Sequence, residues 1–159
     1  SSTGAVAIAL ITVLFGGLTA NIAGAPVACR GFPGCSSIEV TGLPLIVHIV
    51  HRGLAFLLFL HLTGVLVGVR RRGESGPVRT AAIVAFLAVI AQIAVAGTMV
   101  MSALPPEWRS IHQATGTLVW VTIVLLALIA RRGGDDTMGT KVPTGVPVKP
   151  SQRAMADAR

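Results

Sequence analysis

Charge is scarce in this chain. Asp, Glu, Lys and Arg make up 12% of its 159 residues, and only six residues are acidic. None of those six falls within the long apolar stretches Gly4–Ala20, Leu43–Val69, Ala81–Leu104 and Ile111–Ala130. The chain also has no glycine-rich phosphate loop, no Ser-His-Asp set and no His-Glu-x-x-His motif, so hydrolytic and nucleotide chemistry have no support. A secretory signal is missing as well: the opening Ser-Ser-Thr-Gly is not basic and no cleavage pattern follows. Since the first residue is not methionine, further residues are expected upstream.

What is there is hydrophobic. The apolar fraction is 53% and the mean hydropathy +0.78, far from any soluble domain of this size. Each apolar stretch can cross about 30 Å of hydrocarbon as a helix, the first by a small margin. None alternates as the spans of a β-barrel do. The predicted fold class is all-α: an integral membrane four-helix bundle built of two helical hairpins. Gly16, Gly17, Gly64, Gly68 and Gly97 are residues small enough to let such helices pack closely.

The net charge of +7 could point to nucleic acid, but its placement excludes that. Arg70, Arg71, Arg72 and Arg79 join the second stretch to the third, and Arg131, Arg132, Lys141, Lys149, Arg153 and Arg159 follow the fourth. The other two loops hold only Arg30 and Arg109. This is the positive-inside pattern, with the lipid bilayer as partner. It predicts a multi-pass protein of a prokaryotic plasma membrane, both termini cytoplasmic and loops 21–42 and 104–110 outside. Trp108, after Pro105-Pro106, suits an interfacial anchor on that outer side.

Imidazole is costly in a membrane helix and usually has a task. His51 and His112 each begin a run with a small residue four places on, Ala55 and Gly116, which lies on the same helix face. His51 stands about eight residues into its stretch, roughly 12 Å deep, and His112 near the start of its own. Both sit in the outer half, on different hairpins, as axial ligands of one haem would. Residues 1–130 therefore read as a four-helix transmembrane haem-binding domain. Residues 131–159, rich in Gly, Pro, Lys and Asp, read as a cytoplasmic tail without fixed structure.

Other polar residues are open to two readings each. His61 lies roughly 15 Å deeper than His51 and cannot share its haem. It either meets a partner in another subunit or bonds a neighbouring carbonyl. His48, three residues before His51, could touch a haem edge, carry protons or cap a polar pocket. Arg52 could pair with a haem propionate or snorkel toward headgroups. Cys29 and Cys35 flank Arg-Gly-Phe-Pro-Gly on the oxidising side, which suits a loop-stapling disulfide or a redox-active pair. Zinc has little support without a second Cys or His cluster.

Several stretches together resemble the haem A synthase family. They are Gly16-Gly17-Leu18, Ala28 through Cys35, His51-Arg52, Ala91-Gln92 through Gly97, and Ile111-His112-Gln113, covering residues about 10–125. Most members have eight helices, and this chain resembles the N-terminal four-helix half. The resemblance implies that His51 and His112 hold haem b, and that the C8 methyl of haem o is oxidised to the formyl of haem A. Haem o or haem A would then be substrate or product. Implied partners are haem o synthase, terminal oxidase assembly, and either further copies of this chain or other membrane subunits. One departure bears on catalysis: the family's glutamate before the His-Arg pair is His48 here. The alternative reading is a non-catalytic haem b electron-transfer subunit of a larger membrane complex. A haem-free structural subunit is the third.

Overall fold

The computed structural model describes residues 1–139, with side chains through Arg132. Four helices dominate it: α1 (Ser2–Asn21), α2 (Leu43–Arg71), α3 (Pro77–Met101) and α4 (Pro106–Gly139). Proline marks the first turn of α2, α3 and α4, where its missing N–H costs nothing and its fixed φ favours the helix. All four are long and apolar enough to span a membrane. The fold is the expected bundle of two hairpins.

The helix ends differ from the sequence expectation in instructive ways. α4 starts at Pro106 rather than Ile111, because Glu107, Arg109 and Ser110 are polar yet helical, with Trp108 among them. His112 is thus nearly two turns inside its helix, at a depth closer to that of His51 in α2. α3 begins four residues earlier than expected and stops at Met101, since Ala103 and Leu104 adopt left-handed backbone in the turn to α4. At its other end α4 runs on to Gly139, so the first residues of the expected tail continue the helix. The rest of that tail, 140–159, lies outside the described residues.

Between α1 and α2 the chain forms a compact cap. A 3-10 turn (Ala25–Val27) leads into β1 (Cys29–Arg30), which pairs antiparallel with β2 (Ser37–Ile38), Cys29 opposite Ile38. An exposed ion pair, Arg30 to Glu39 at 3.6 Å, lies beside this ladder and contributes at most about 1 kcal/mol.

Each helix packs on its chain neighbours and α1 closes onto α4, giving a ring of four. The interior is unequal along its length. At the end carrying the Arg70–Arg72 loop it is solid: Ala5, Leu62, Leu66, Val69, Ala82, Ala85, Ile123 and Leu126 are all buried. At the end carrying the cysteine loop it is hollow, and that hollow is the site described below.

Lipid tails are as apolar as leucine, so polar bonds between helices help hold the bundle, at about 1 kcal/mol each. Two join α1 to α2: His51 Nδ1 donates to the Thr12 carbonyl (3.0 Å) and His61 Nε2 to the Ser1 carbonyl (3.0 Å). The His61 ring is also seated on Gly4, where a Cβ would come within 3.1 Å of its Cε1. Of the two readings of His61, the structure contains the bond to a neighbouring carbonyl. Gly64 plays no such part, since a Cβ added there meets nothing within 4 Å.

Candidate functional site

The hollow end encloses a cavity of about 520 Å³, within the range of cofactor pockets. All four helices line it, from Ala9, Leu58, Val89 and Val119 at its floor toward Asn21, His48, Val100 and Arg109 at its mouth. His51 and His112 both border this one space, as does Arg52. Most of the wall is apolar, and the charged groups that face it are two arginines at the mouth. A flat apolar molecule with anionic groups at one edge fits such a chamber.

His51 is held as an iron ligand would need to be. Its Nδ1 donates to the Thr12 carbonyl, which fixes the neutral tautomer and leaves the Nε2 lone pair unused. The ring comes so near α1 that a Cβ on Gly16 would stand 2.9 Å from its Cε1. Only glycine permits that approach.

His112 is held differently. Gln92 of α3 reaches across to it, its Nε2 lying 3.0 Å from His112 Nδ1 and donating to the His112 carbonyl at 3.0 Å. The Thr115 hydroxyl bonds the other end of the same amide. The small residue at Gly116 makes room for this amide, since a Cβ there would lie 3.2 Å from Gln92 Nε2. The sequence had assigned that room to a macrocycle; it is shared with Gln92. A lone amide in an apolar helix was the available signal, because such groups seldom lack a partner in a membrane.

His48 and Arg52 are four residues apart on α2 and together hold the cap. His48, almost fully buried, donates from Nδ1 to the Ala25 carbonyl at 2.5 Å while still bordering the cavity. Arg52 donates to three loop carbonyls, those of Gly31 (2.8 Å), Gly34 (3.1 Å) and Cys29 (3.0 Å). Neither snorkelling nor a propionate was needed to place it. Phe32, at the loop tip, rests on the backbone of α3, where a Cβ on Gly97 would lie 3.1 Å from its ring. The loop thus roofs the cavity.

Within that roof Cys29 and Cys35 are joined as a disulfide, with Cα atoms 5.4 Å apart. Closing so short a ring stabilises by on the order of 2–3 kcal/mol. Unreduced protein is expected to take up no alkylating reagent at either cysteine on mass spectrometry. Two modified thiols, or a bond to another chain, would refute the pairing.

Arg109 is the other residue that the sequence reading passed over. It stands one turn before His112 on α4 and borders the cavity mouth. Its guanidinium has no hydrogen-bond or ion-pair partner among the described residues. Positive charge in the loop had been counted only toward orientation.

A haem would fit these residues: a histidine on each hairpin borders one apolar chamber, with cations at one end. Two proteins of Halobacterium salinarum, both named protoheme IX farnesyltransferase, are similar to the chain. The one from strain R1 is 29% identical over 123 residues, covering 76% of this chain and 27% of that protein. The one from strain NRC-1 is 30% identical over 111 residues, covering 69% and 25% respectively. The chain therefore spans about a quarter of the length of these curated relatives. No solved structure matches it. Residues 1–124 match the COX15-CtaA family, described as cytochrome oxidase assembly protein, and the chain belongs to that haem A synthase family.

Proposed function

We infer that this chain binds haem through His51 and His112 and oxidises the C8 methyl of haem o to the formyl of haem A. The observation that carries the reading is one apolar cavity bordered by both histidines, one from each hairpin. Family membership supports a role in cytochrome oxidase assembly. The names of the relatives concern protoheme IX, which supports a porphyrin as the bound molecule.

Bound haem iron supplies the redox chemistry; the chain supplies position, exclusion of water and a path for protons. The His51 Nε2 lone pair is already free to bind iron. Arg109, and the donors of Arg52 not used by the loop, suit propionates at the cavity mouth. The Phe32 loop closes the chamber over them. Turning a methyl into a formyl with oxygen from water releases four electrons and four protons; the electrons would go by way of the bound haem to an external acceptor, and the protons must leave through the chain. His48 borders the cavity with Nδ1 committed to Ala25, which leaves Nε2 as the acceptor of such a proton. In this reading the cysteine loop faces the outside of a prokaryotic plasma membrane and the basic loop faces the cytoplasm. The haem o source and the terminal oxidase are the partners, with further membrane chains alongside.

The test is production of haem A in cells that make haem o but lack their own synthase. The native chain should yield haem A, and His48→Glu, which restores the family's carboxylate, should match or exceed it. Pyridine haemochrome spectra separate b-, o- and a-type haem. If neither protein yields haem A, the enzyme reading gives way to a non-catalytic haem b electron-transfer subunit.

A further inference from the structure

The chamber is closed at both ends and open along one side. Above it, the cysteine loop is tied down by His48 and Arg52 and by the seat of Phe32 on Gly97. Below it, Ala5, Leu62, Ala85 and Ile123 fill the bundle. A large ligand has no passage through either end.

The side wall varies around the ring. On α1, Val13, Gly17 and Ala20 line the cavity and are also exposed on the outside of the bundle. On α4 the same holds for Arg109, Gln113 and Thr117. Spacings of three and four put each set on one face of its helix. Away from these two helices, Phe56 of α2 is the one exposed residue in the described wall, and α3 contributes none. A residue that borders both the cavity and the exterior marks the edge of an opening. The opening therefore runs lengthwise between α1 and α4.

The seam between these helices is the thinnest of the four in the ring, and no hydrogen bond crosses it among the described residues. The helices meet at the floor, where Ala5 and Ala9 share a core with Val119 and Ile123. Higher up they part, and a Cβ added to Gly17 would meet nothing within 4 Å. Val13, Gly17, Ala20 and Thr117 all lie within membrane-spanning lengths, so the gap opens toward lipid.

Haem o differs from haem b in carrying a long isoprenoid tail, on the ring edge remote from the propionates. With propionates at the arginines of the mouth, that tail points away from the mouth and toward the solid floor. Sideways is the direction left to it. In the gap the tail would stay in hydrocarbon, where its burial from water is retained. A second copy of the protein laid over the same seam would instead seal a chamber whose ends are already shut.

We propose that the gap between α1 and α4 seats the isoprenoid tail of the porphyrin substrate, with Gly17 and Thr117 as the residues that set its width. The selection of a tailed haem over a plain one then resides in α1 and α4, apart from the ligand histidines. This rests on the haem o reading given above and assigns it a tail subsite.

The experiment titrates the full protein, purified in mild detergent, with haem b and with haem o, and measures its mass by native mass spectrometry. Native protein is compared with Gly17→Phe, Thr117→Phe and Gly64→Phe. Filling the gap should weaken haem o binding by about 10–100-fold in the first two variants. Haem b, which has no tail to place, should bind them as it binds native protein. Gly64→Phe adds the same side chain at an exposed, open position away from the cavity and should alter neither affinity. Equal losses for both haems, or no loss for haem o, overturn the assignment. A native oligomer that Gly17→Phe turns into a monomer, with the ratio of the two affinities unchanged, also overturns it by marking the gap as a contact between copies. Should Gly17→Phe not fold, Thr117→Phe decides by the same comparison. Native protein that binds haem b but not haem o removes the tail subsite and leaves ligation by His51 and His112 standing. Native protein that binds neither overturns both.

Discussion

Alanine at His51 or at His112 should abolish the low-spin haem spectrum of the purified protein. Low-spin iron in this chamber needs a strong nitrogen ligand on each face of the macrocycle, and the cavity wall offers no comparable substitute on α1 or α3. His48 is the nearest alternative donor, but its Nδ1 is engaged by Ala25 and it stands almost a full turn from His51 on the same helix. The two variants should differ in their side effects. His51→Ala also removes the bond to Thr12 and loosens α1 from α2, a loss of about 1 kcal/mol. His112→Ala leaves α1 and α2 joined. Exogenous imidazole should therefore restore a low-spin spectrum more fully to His112→Ala. If both alanine variants keep the native spectrum, ligation by these histidines is wrong.

Valine at Gly16 should weaken haem binding by about 10–100-fold although neither His51 nor His112 is replaced. A Cβ at that position would stand 2.9 Å from His51 Cε1, closer than side-chain carbons approach in folded proteins, and valine adds two further methyls. The His51 ring would be driven off α1, losing the Thr12 carbonyl that fixes its tautomer and its aim. Gly53→Val is the matched control, because Gly53 is exposed and its Cβ would meet nothing within 4 Å. Haem titration of the two variants checks this directly. Equal affinity in both would show that the seat of His51 on Gly16 does not matter to the ligand.

Membrane composition made the helices legible. Four apolar stretches separated by turns and arginines leave a bilayer chain no other solution, since every backbone N–H and C=O must be bonded within its own segment. The ends were less legible. Hydropathy excluded Glu107 through Ser110 from α4, yet Pro106 starts the helix there and the polar residues ride at its exposed end. The ligand candidates could be found because imidazole in an apolar run is rare enough to stand out.

The partners of those residues could not be found in the same way. Nothing local to His61 says that the carbonyl of Ser1, sixty residues away, will meet its ring. Arg52 is adjacent to His51 in sequence, but a helix turns about 100° per residue, so it faces the cap and not the cavity alone. Gln92 looks like an isolated polar residue until α3 is laid beside α4. By itself the sequence determined the class of fold, the number of spans, and which histidines stand at a similar depth, because hydrophobicity and helical rise are local properties. The tertiary structure decided which end of the bundle is hollow, which glycines are close approaches, and which polar group holds each ring. Those depend on how four helices are rotated against one another, and that rotation is set by the packing of all of them together.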